Sequence, residues 1–379
     1  MDRIAAAEAS ASRAQFSPQD TFAAKGVATL LLLTHHLFYE GASDVWGIRS
    51  LLSSGGLLTL GLFCKVCVSV FTLLSAYGMS VQYQKRLQAA RLSGAPTYGT
   101  TVEFCTRRYL SLMGSFWFIF ALSLLVTSFT YHSPLSVYGA GVSGLWNGFI
   151  DSLGLAHMFN TPTLNPTWWY MWVAIYVILL FPLLYRWCEK DGLIAFFASL
   201  IVLPFLSLDP PVLPSALLGI CFAQRNLFVR LRALARTAGQ RVLFGVLLLG
   251  ALALLFLVRA LFSIPYIIDA FLAPLIVLAA FFFFPSGSLM QRPLVFVGRH
   301  SSNIFLTHTF IFAYYGGRFI YGFRYPVLIM LSLLLCSLAL SMLLELLKKV
   351  LRYDALSTRM RDKAGAAVRR LCARDASID

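Results

Sequence analysis

Lys25 and His36 lie eleven positions apart within the apolar stretch 18–39, and together they could carry chemistry inside a membrane. An α-helix turns about 100° and rises about 1.5 Å per residue, so this offset returns to the same face, about 16 Å further along. A lysine could bind an anionic substrate group, and an imidazole with a pKa of about 6.5 could take and return a proton. The alternative is that Lys25 snorkels to one membrane interface and His36 ends the span at the other.

Two neighbours of His36 differ in their expected roles. Glu40 follows one helical turn later, where its carboxylate could accept the second ring N–H of His36 and select the tautomer. His35 points about 100° away from His36, so we interpret it as a packing or interfacial histidine.

Further polar residues within apolar stretches are candidate ligands for a substrate. Arg107 and Arg108 begin the third stretch, either as positively charged anchors or as a clamp for phosphate. His308 lies about two turns into a stretch expected to begin at Ser301, where hydrogen bonding between helices is the alternative role. Glu345 is expected to pair with a nearby basic residue.

Trp168 and Trp169 belong to an aromatic cluster at the start of the fourth stretch. The cluster predicts an interfacial aromatic belt, and a platform that stacks on a sugar is the alternative.

Composition indicates a polytopic membrane protein. Of 379 residues, 59% are hydrophobic and 12% are charged, and the mean hydropathy is +0.75, whereas a soluble chain of this length needs more charge. The net charge of +15 lies in short connections and in the tail, as expected for positive-inside topology and contact with the lipid bilayer rather than for nucleic-acid binding. We interpret the seven cysteines as small apolar residues and expect neither a disulfide nor a bound metal.

Apolar stretches of sufficient length predict an all-α membrane bundle of about ten transmembrane helices. The stretches are 18–39, 57–80, 105–128, 167–187, 193–207, 212–223, 242–262, 264–284, 301–320 and 326–347. The segment 146–158 is predicted to be an eleventh span or a re-entrant segment. Lys and Arg in alternate connections predict a multi-pass protein of the plasma (inner) membrane with both termini in the cytoplasm.

The predicted domain organisation has three parts. Residues 1–17 form a cytoplasmic segment without the apolar core of a cleavable signal, and Ser17 is expected to cap the first helix. Residues 18–347 form the transmembrane domain. Residues 348–379 form a basic cytoplasmic tail, expected to lie on the membrane or to be disordered.

Five segments, in order along the chain, resemble motifs of the integral-membrane acyltransferase 3 family, whose members O-acylate cell-envelope carbohydrates. Lys25 and His36 match the family's Arg/Lys-x10-His signature. The others are KVCVSVFTLLSAYGM (65–79), RRYLSLMGSFW (107–117), TWWYMWVAIYVILLFPLL (167–184) and VGRHSSNIFLTH (297–308).

The sequence departs from the family pattern at three positions. Ala76 stands where glycine is usual, while Ser111 and Gly114 stand where many relatives have arginine and proline.

The resemblance implies transfer of an acyl group, usually acetyl, from cytoplasmic acetyl-CoA or another acyl-CoA to a hydroxyl of an extracytoplasmic carbohydrate. It implies that His36 is catalytic and that Lys25 and Arg108 contact the donor. His36 could be a general base or a transient acyl carrier. A transporter or flippase of an envelope precursor, with Lys25, His36 and His308 along its pathway, is the main alternative. A regulatory receptor that has lost activity is the third.

Overall fold

Helices make up the whole secondary structure of the described residues. The computed structural model describes residues 16–39, 45–94, 96–202, 212–262 and 265–375, which contain no strand. Helices α1 to α8 are Pro18–Phe38, Ser54–Cys64, Cys67–Ser93, Thr97–Thr127, Pro134–Tyr138, Gly141–Ser152, Trp169–Val202 and Leu213–Gln224. Helices α9 to α15 are Leu227–Arg232, Ala238–Leu261, Pro265–Phe283, Gln291–Thr309, Gly317–Gly322, Pro326–Val350 and Tyr353–Asp375. A 3-10 turn, Pro166–Trp168, precedes α7, and a π-helical segment, Phe310–Tyr315, follows α12.

Among the described residues, six helical segments are long and apolar enough to cross a membrane. They are Ser54–Ser93, Thr97–Thr127, Pro166–Ile201, Ala238–Leu261, Tyr266–Phe283 and Pro326–Val350. The all-α, membrane-spanning class predicted from the sequence is therefore confirmed. Helix α1 is 21 residues long. It is not among these six segments, because Lys25 and the two histidines of α1 lower the mean hydropathy of the helix. The count of about ten spans and the side of each terminus stay predictions.

Several predicted boundaries differ from the observed helices. Helix α7 contains a kink at Asp191 (φ −143°, ψ 72°), which lies between the predicted stretches 167–187 and 193–207; the structure describes the second stretch only as far as Val202. The stretch 57–80 is divided between α2 and α3. Helix α12 begins ten residues before Ser301, so His308 lies near its end rather than near its start.

The segment 146–158 does not form a continuous helix, because α6 ends at Ser152. With 12 residues, α6 is about 18 Å long, too short for a hydrocarbon core of about 30 Å. The carboxylate of Asp151 on this helix accepts hydrogen bonds from the Tyr138 hydroxyl (2.6 Å), the Thr163 hydroxyl (2.9 Å) and the Leu164 N–H (2.8 Å). Burial raises the pKa of Asp151 above its ordinary value, although these hydrogen bonds act in the opposite direction.

Helix α1 begins where the sequence predicts. The Ser17 Oγ accepts the backbone N–H of Asp20 (3.2 Å), and the Asp20 carboxylate accepts the backbone N–H of Ser17 (2.8 Å), which completes a capping box. The same carboxylate also accepts hydrogen bonds from Ser286 (2.6 Å) and Gln291 (2.9 Å). A local helix signal therefore also anchors the start of α1 to a distant part of the chain.

Two compact units make up the protein. The first contains Met1–Ala42, Leu52–Val81 and Leu183–Ser301, and the second contains Ser43–Leu51, Gln82–Pro182 and Ser302–Asp379. The core of the first unit includes Leu73, Phe228, Leu272 and Phe281. The core of the second includes Phe116, Trp168 and Leu306.

The basic tail of the second unit forms helix α15, which packs antiparallel against α4. Gly99 near the start of α4 approaches Cys372, and Gly114 approaches Ser357. The Tyr353 hydroxyl donates to the carbonyl oxygen of Gly114 (2.7 Å). The tail is therefore a packed helix as far as Asp375 rather than a disordered segment, and its position on the membrane surface stays a prediction.

Candidate functional site

Lys25 and His36 both belong to the first unit and lie on α1, as the sequence predicts. Both side chains are partly exposed. Between them, on the same face, Ala28, Thr29 and Leu32 are buried. The two candidate residues are therefore the accessible ends of a stripe whose middle is covered by protein.

A second cation lies beside Lys25. The Lys25 Nζ is 5.9 Å from the centroid of the Phe22 ring, and the guanidinium of Arg299 on α12 is 5.8 Å from the same centroid. Glycines bring the two helices together, since a Cβ on Gly298 would overlap the carbonyl oxygen of Phe22. Arg299 is not among the predicted site residues, although it directly follows the glycine of the fifth motif.

His36 packs against His35 at the last turn of α1. The two ring centroids are 4.8 Å apart. The Nδ1 atom of His35 is 2.8 Å from the carbonyl oxygen of Gly61, and because a carbonyl only accepts, this nitrogen carries the proton. His35 is buried, in agreement with the packing role predicted for it. Glu40, the expected partner of His36, lies outside the described residues.

A buried ion pair outside the predicted site residues also belongs to the first unit. The Arg259 Nε donates to the Asp269 Oδ1 (2.6 Å), and the Nη2 donates to the Oδ2 (3.2 Å). The two side chains are only 6% and 9% exposed. The sequence does contain a signal for this pair. Arg259 and Asp269 lie in consecutive apolar stretches, and oppositely charged residues within a membrane usually pair.

In the second unit, Arg107 is held by protein carboxylates. Its Nε donates to Glu103 (2.7 Å) and its Nη1 donates to Asp362 on α15 (2.6 Å). The buried Glu103 also accepts a hydrogen bond from Arg369 on α15 (2.8 Å) and lies 3.9 Å from Arg86. Arg107 therefore docks the tail helix onto α4.

Arg108 differs from its neighbour, although both begin the same apolar stretch. Its side chain is partly buried, and its buried Nε has no hydrogen-bond partner among the described residues. Such an unsatisfied guanidinium nitrogen is costly and suits an anionic ligand. Of the two arginines expected to contact a donor, Arg108 has the suitable environment.

Two polar residues of α12, His308 and Asn303, form hydrogen bonds inside the second unit. The buried His308 has its Nδ1 3.0 Å from the carbonyl oxygens of Ile304 and Phe305. Asn303 donates to Ser341 (3.0 Å) and to Glu345 (2.7 Å) on α14. The carbonyls of Ile304 and Phe305 belong to the same helix as His308, α12, so the hydrogen bonds between helices described here are those of Asn303. A role of His308 in bonding between helices stays a prediction.

Glu345 is also paired as expected, because the Lys348 Nζ lies 2.9 Å from its carboxylate.

Trp168 and Trp169 occupy different environments. Trp168 is 2% exposed, donates its indole N–H to the Leu306 carbonyl (3.0 Å) and packs edge-on against Phe116. It is a core residue and not part of an exposed belt or sugar platform. Trp169 is partly exposed and contacts Tyr170.

Comparison with known families gives a match over most of the chain. The family model Acyl_transf_3, described as an acyltransferase domain, matches residues 23–346. The chain belongs to the acyltransferase 3 family. It is therefore a multi-pass membrane protein with an acyltransferase domain. Comparisons with curated proteins and with solved structures found no match.

Two departures of this acyltransferase from its family pattern have a structural explanation. Ser111, where many relatives have arginine, accepts a hydrogen bond from Arg361 of the tail helix (3.3 Å). Gly114, where many have proline, lies so close to Ser357 that a Cβ would be 2.6 Å from the serine hydroxyl. Both departures thus occur where α15 packs on α4.

Among the described residues, no three His, Cys, Asp or Glu side chains form a cluster that could hold a metal ion.

Proposed function

We propose that this protein is an acyl-CoA-dependent O-acyltransferase of the plasma (inner) membrane. It would move an acyl group, acetyl in the simplest case, from cytoplasmic acyl-CoA to a hydroxyl of an extracytoplasmic cell-envelope carbohydrate. The observation that carries the proposal is the α1 stripe, with a cation and an imidazole at its two accessible ends, in a chain of the acyltransferase 3 family. Positive-inside topology supports a cytoplasmic position for the Lys25 end.

The cationic end suits the phosphates of the donor. The Lys25 Nζ and the Arg299 guanidinium each lie within 6 Å of the centroid of the Phe22 ring. Two cations held together in this way repel each other, and an anion between them would relieve the repulsion. Arg108 stays an expected contact of the donor, while Arg107 docks the tail helix.

The imidazole end suits acyl transfer. As a general base, His36 would take the proton of the acceptor hydroxyl while its oxygen attacks the thioester carbonyl. The C–S bond then breaks, the ester forms, and the coenzyme A thiolate receives the proton. As an acyl carrier, His36 would attack the thioester first and pass the acyl group to the hydroxyl in a second step. Ping-pong kinetics distinguish the carrier from direct transfer in a ternary complex.

The buried middle of the stripe restricts how a donor could bind. Ala28, Thr29 and Leu32 separate the two ends, so a donor can extend from Lys25 to His36 only if the covering side chains move. Binding of coenzyme A should therefore change the hydrogen exchange of α1.

A second candidate function is transport of an envelope precursor. The observation in its favour is the set of ionisable side chains within apolar helices, of which His308 is fully buried. A transporter would move a labelled precursor without a thioester and would release no coenzyme A.

The experiment uses purified protein in sealed vesicles, with acyl-CoA on one face and a carbohydrate acceptor on the other. Single cysteines at the exposed positions Ser50 and Ala355 report the orientation. We expect transfer only with the donor on the Ala355 side, and its loss in His36→Ala. The exposed His157 is the matched control, and His157→Ala should retain activity. Full activity of His36→Ala, or precursor flux without a thioester, would overturn the proposal.

A further inference from the structure

The membrane segment Ser54–Ser93 is interrupted at Lys65 and Val66. The backbone N–H of Lys65 donates to Leu62 (3.2 Å), and that of Val66 donates to Phe63 (3.3 Å). These are three-residue turns, so the carbonyl of Gly61 loses the N–H that a continuous helix would supply. A free carbonyl is costly inside a membrane and needs another donor.

Side chains from two other helices bind the carbonyls at this interruption. His35 on α1 donates its Nδ1–H to Gly61 (2.8 Å). Arg259 on α10 donates its Nη1–H to Leu62 (3.1 Å). The interruption is therefore joined to the last turn of α1 and to a buried guanidinium.

Asp269 on α11 holds that guanidinium in place. Its two carboxylate oxygens accept the Nε and Nη2 of Arg259, which leaves the Nη1 directed at Leu62. A buried ion pair is often no more stabilising than apolar residues of the same size. We therefore explain the ion pair by the orientation that it gives to the Arg259 guanidinium rather than by a contribution to stability.

The last turn of α1, which carries His36, rests on this interruption. A Cβ on Gly61 would lie 3.0 Å from the carbonyl carbon of Phe38 and from the nitrogen of Tyr39. The ring of His35, held by Gly61, lies 4.8 Å from the ring of His36. A shift of the interruption would therefore move His36.

We propose that Arg259 and Asp269 are positioning residues for His36, acting through the Leu62 and Gly61 carbonyls and the His35 ring. The proposal rests on the proposed function, in which His36 is the reacting group. Because displacement of a reacting group lowers the rate of the chemical step, the pair should affect kcat more than the KM for acyl-CoA.

The first variant is Arg259→Lys, which keeps a charge opposite Asp269 but replaces three directed nitrogens by one. We expect kcat to fall about tenfold to a hundredfold, with the KM for acyl-CoA unchanged within about twofold. Arg236→Lys, at an exposed position in the same unit, is the matched control and should leave both values unchanged.

The second variant separates positioning from stability. In the double variant Arg259→Met with Asp269→Leu, no buried charge is left unpaired, so thermal stability should remain near that of the unmodified protein. The Leu62 carbonyl loses the Arg259 donor and keeps only the backbone N–H of Lys65, so kcat should stay low. A double variant with full stability and full kcat would overturn the proposal, and it serves as the test if Arg259→Lys does not fold.

The accessibility of His36 can also be measured by chemical labelling, without an acyl-transfer assay. Diethyl pyrocarbonate labels accessible imidazoles, and peptide mass spectrometry separates His36 from His35. We expect the labelling rate of His36 to change in Arg259→Lys and not in Arg236→Lys. Equal rates in both variants would overturn the positioning role. If the unmodified protein transfers no acyl group, the proposed function fails, while the labelling rates still decide whether the pair controls His36.

Discussion

Arg107 and Arg108 are adjacent in sequence, yet their replacement by alanine should have different consequences. The Arg107 guanidinium is bonded to Glu103 and Asp362, whereas the buried Nε of Arg108 has no partner among the described residues. Arg107→Ala should therefore weaken docking of the tail helix, and Arg108→Ala should weaken binding of acyl-CoA.

The size of the first effect follows from the two bonds of Arg107. The Glu103 side chain is 7% exposed, so its charge-assisted hydrogen bond is worth about 1.5–3 kcal/mol. The Asp362 side chain is 60% exposed, so that ion pair is worth about 0.2–1 kcal/mol. Glu103 keeps its bond to Arg369, so we expect a loss near the lower end, about 2 kcal/mol. This corresponds to an about 30-fold rise in the undocked fraction of α15.

The second effect concerns a contact to phosphate. Loss of one charge-assisted contact of about 1.5–3 kcal/mol should raise the KM for acyl-CoA about tenfold to a hundredfold. The kcat should change less, because a phosphate remote from the thioester is bound equally in the ground state and in the transition state.

Two assays on the same detergent-purified variants measure these effects. Trypsin cleavage after Arg359 and Lys363, followed by mass spectrometry, reports the undocked fraction of the tail helix. Initial rates against acyl-CoA concentration give KM and kcat. Arg318→Ala, at an exposed position of the same unit, is the control for both assays. An Arg107→Ala variant with a raised KM and unchanged tail cleavage would refute the reasoning, as would Arg108→Ala with an unchanged KM.

Two further predictions concern α1. Lys25→Ala should raise the KM for acyl-CoA more than it lowers kcat, and Lys25→Arg should be milder because it keeps the charge; an unchanged KM in Lys25→Ala would mean that the lysine only anchors the helix. Gly298→Ala places a Cβ on the Phe22 carbonyl oxygen and should lower the free energy of unfolding by about 3 kcal/mol. At Gly250, where a Cβ meets nothing within 4 Å, the same change should be neutral or stabilising by about 0.5–1 kcal/mol. Equal thermal stability of the two glycine variants would contradict the close crossing of α1 and α12.

The features that the sequence predicted correctly depend on neighbouring residues. The capping box of Ser17 and Asp20 lies within one helical turn. The face shared by Lys25 and His36 follows from helical periodicity alone. Membrane character follows from long apolar stretches, since hydropathy is a property of each stretch.

Features that depend on distant partners came only from the tertiary structure. Asp362 binds Arg107 across 255 positions, so a residue predicted to bind phosphate docks the tail helix. The sequence did not predict that this tail packs against α4. Arg259 binds the Leu62 carbonyl across 197 positions, and periodicity cannot predict which distant side chain meets a helix interruption. The sequence shows which side chains are able to form hydrogen bonds and ion pairs. Packing decides which of them meet, because burial excludes water and leaves each polar group with the partner that the fold supplies.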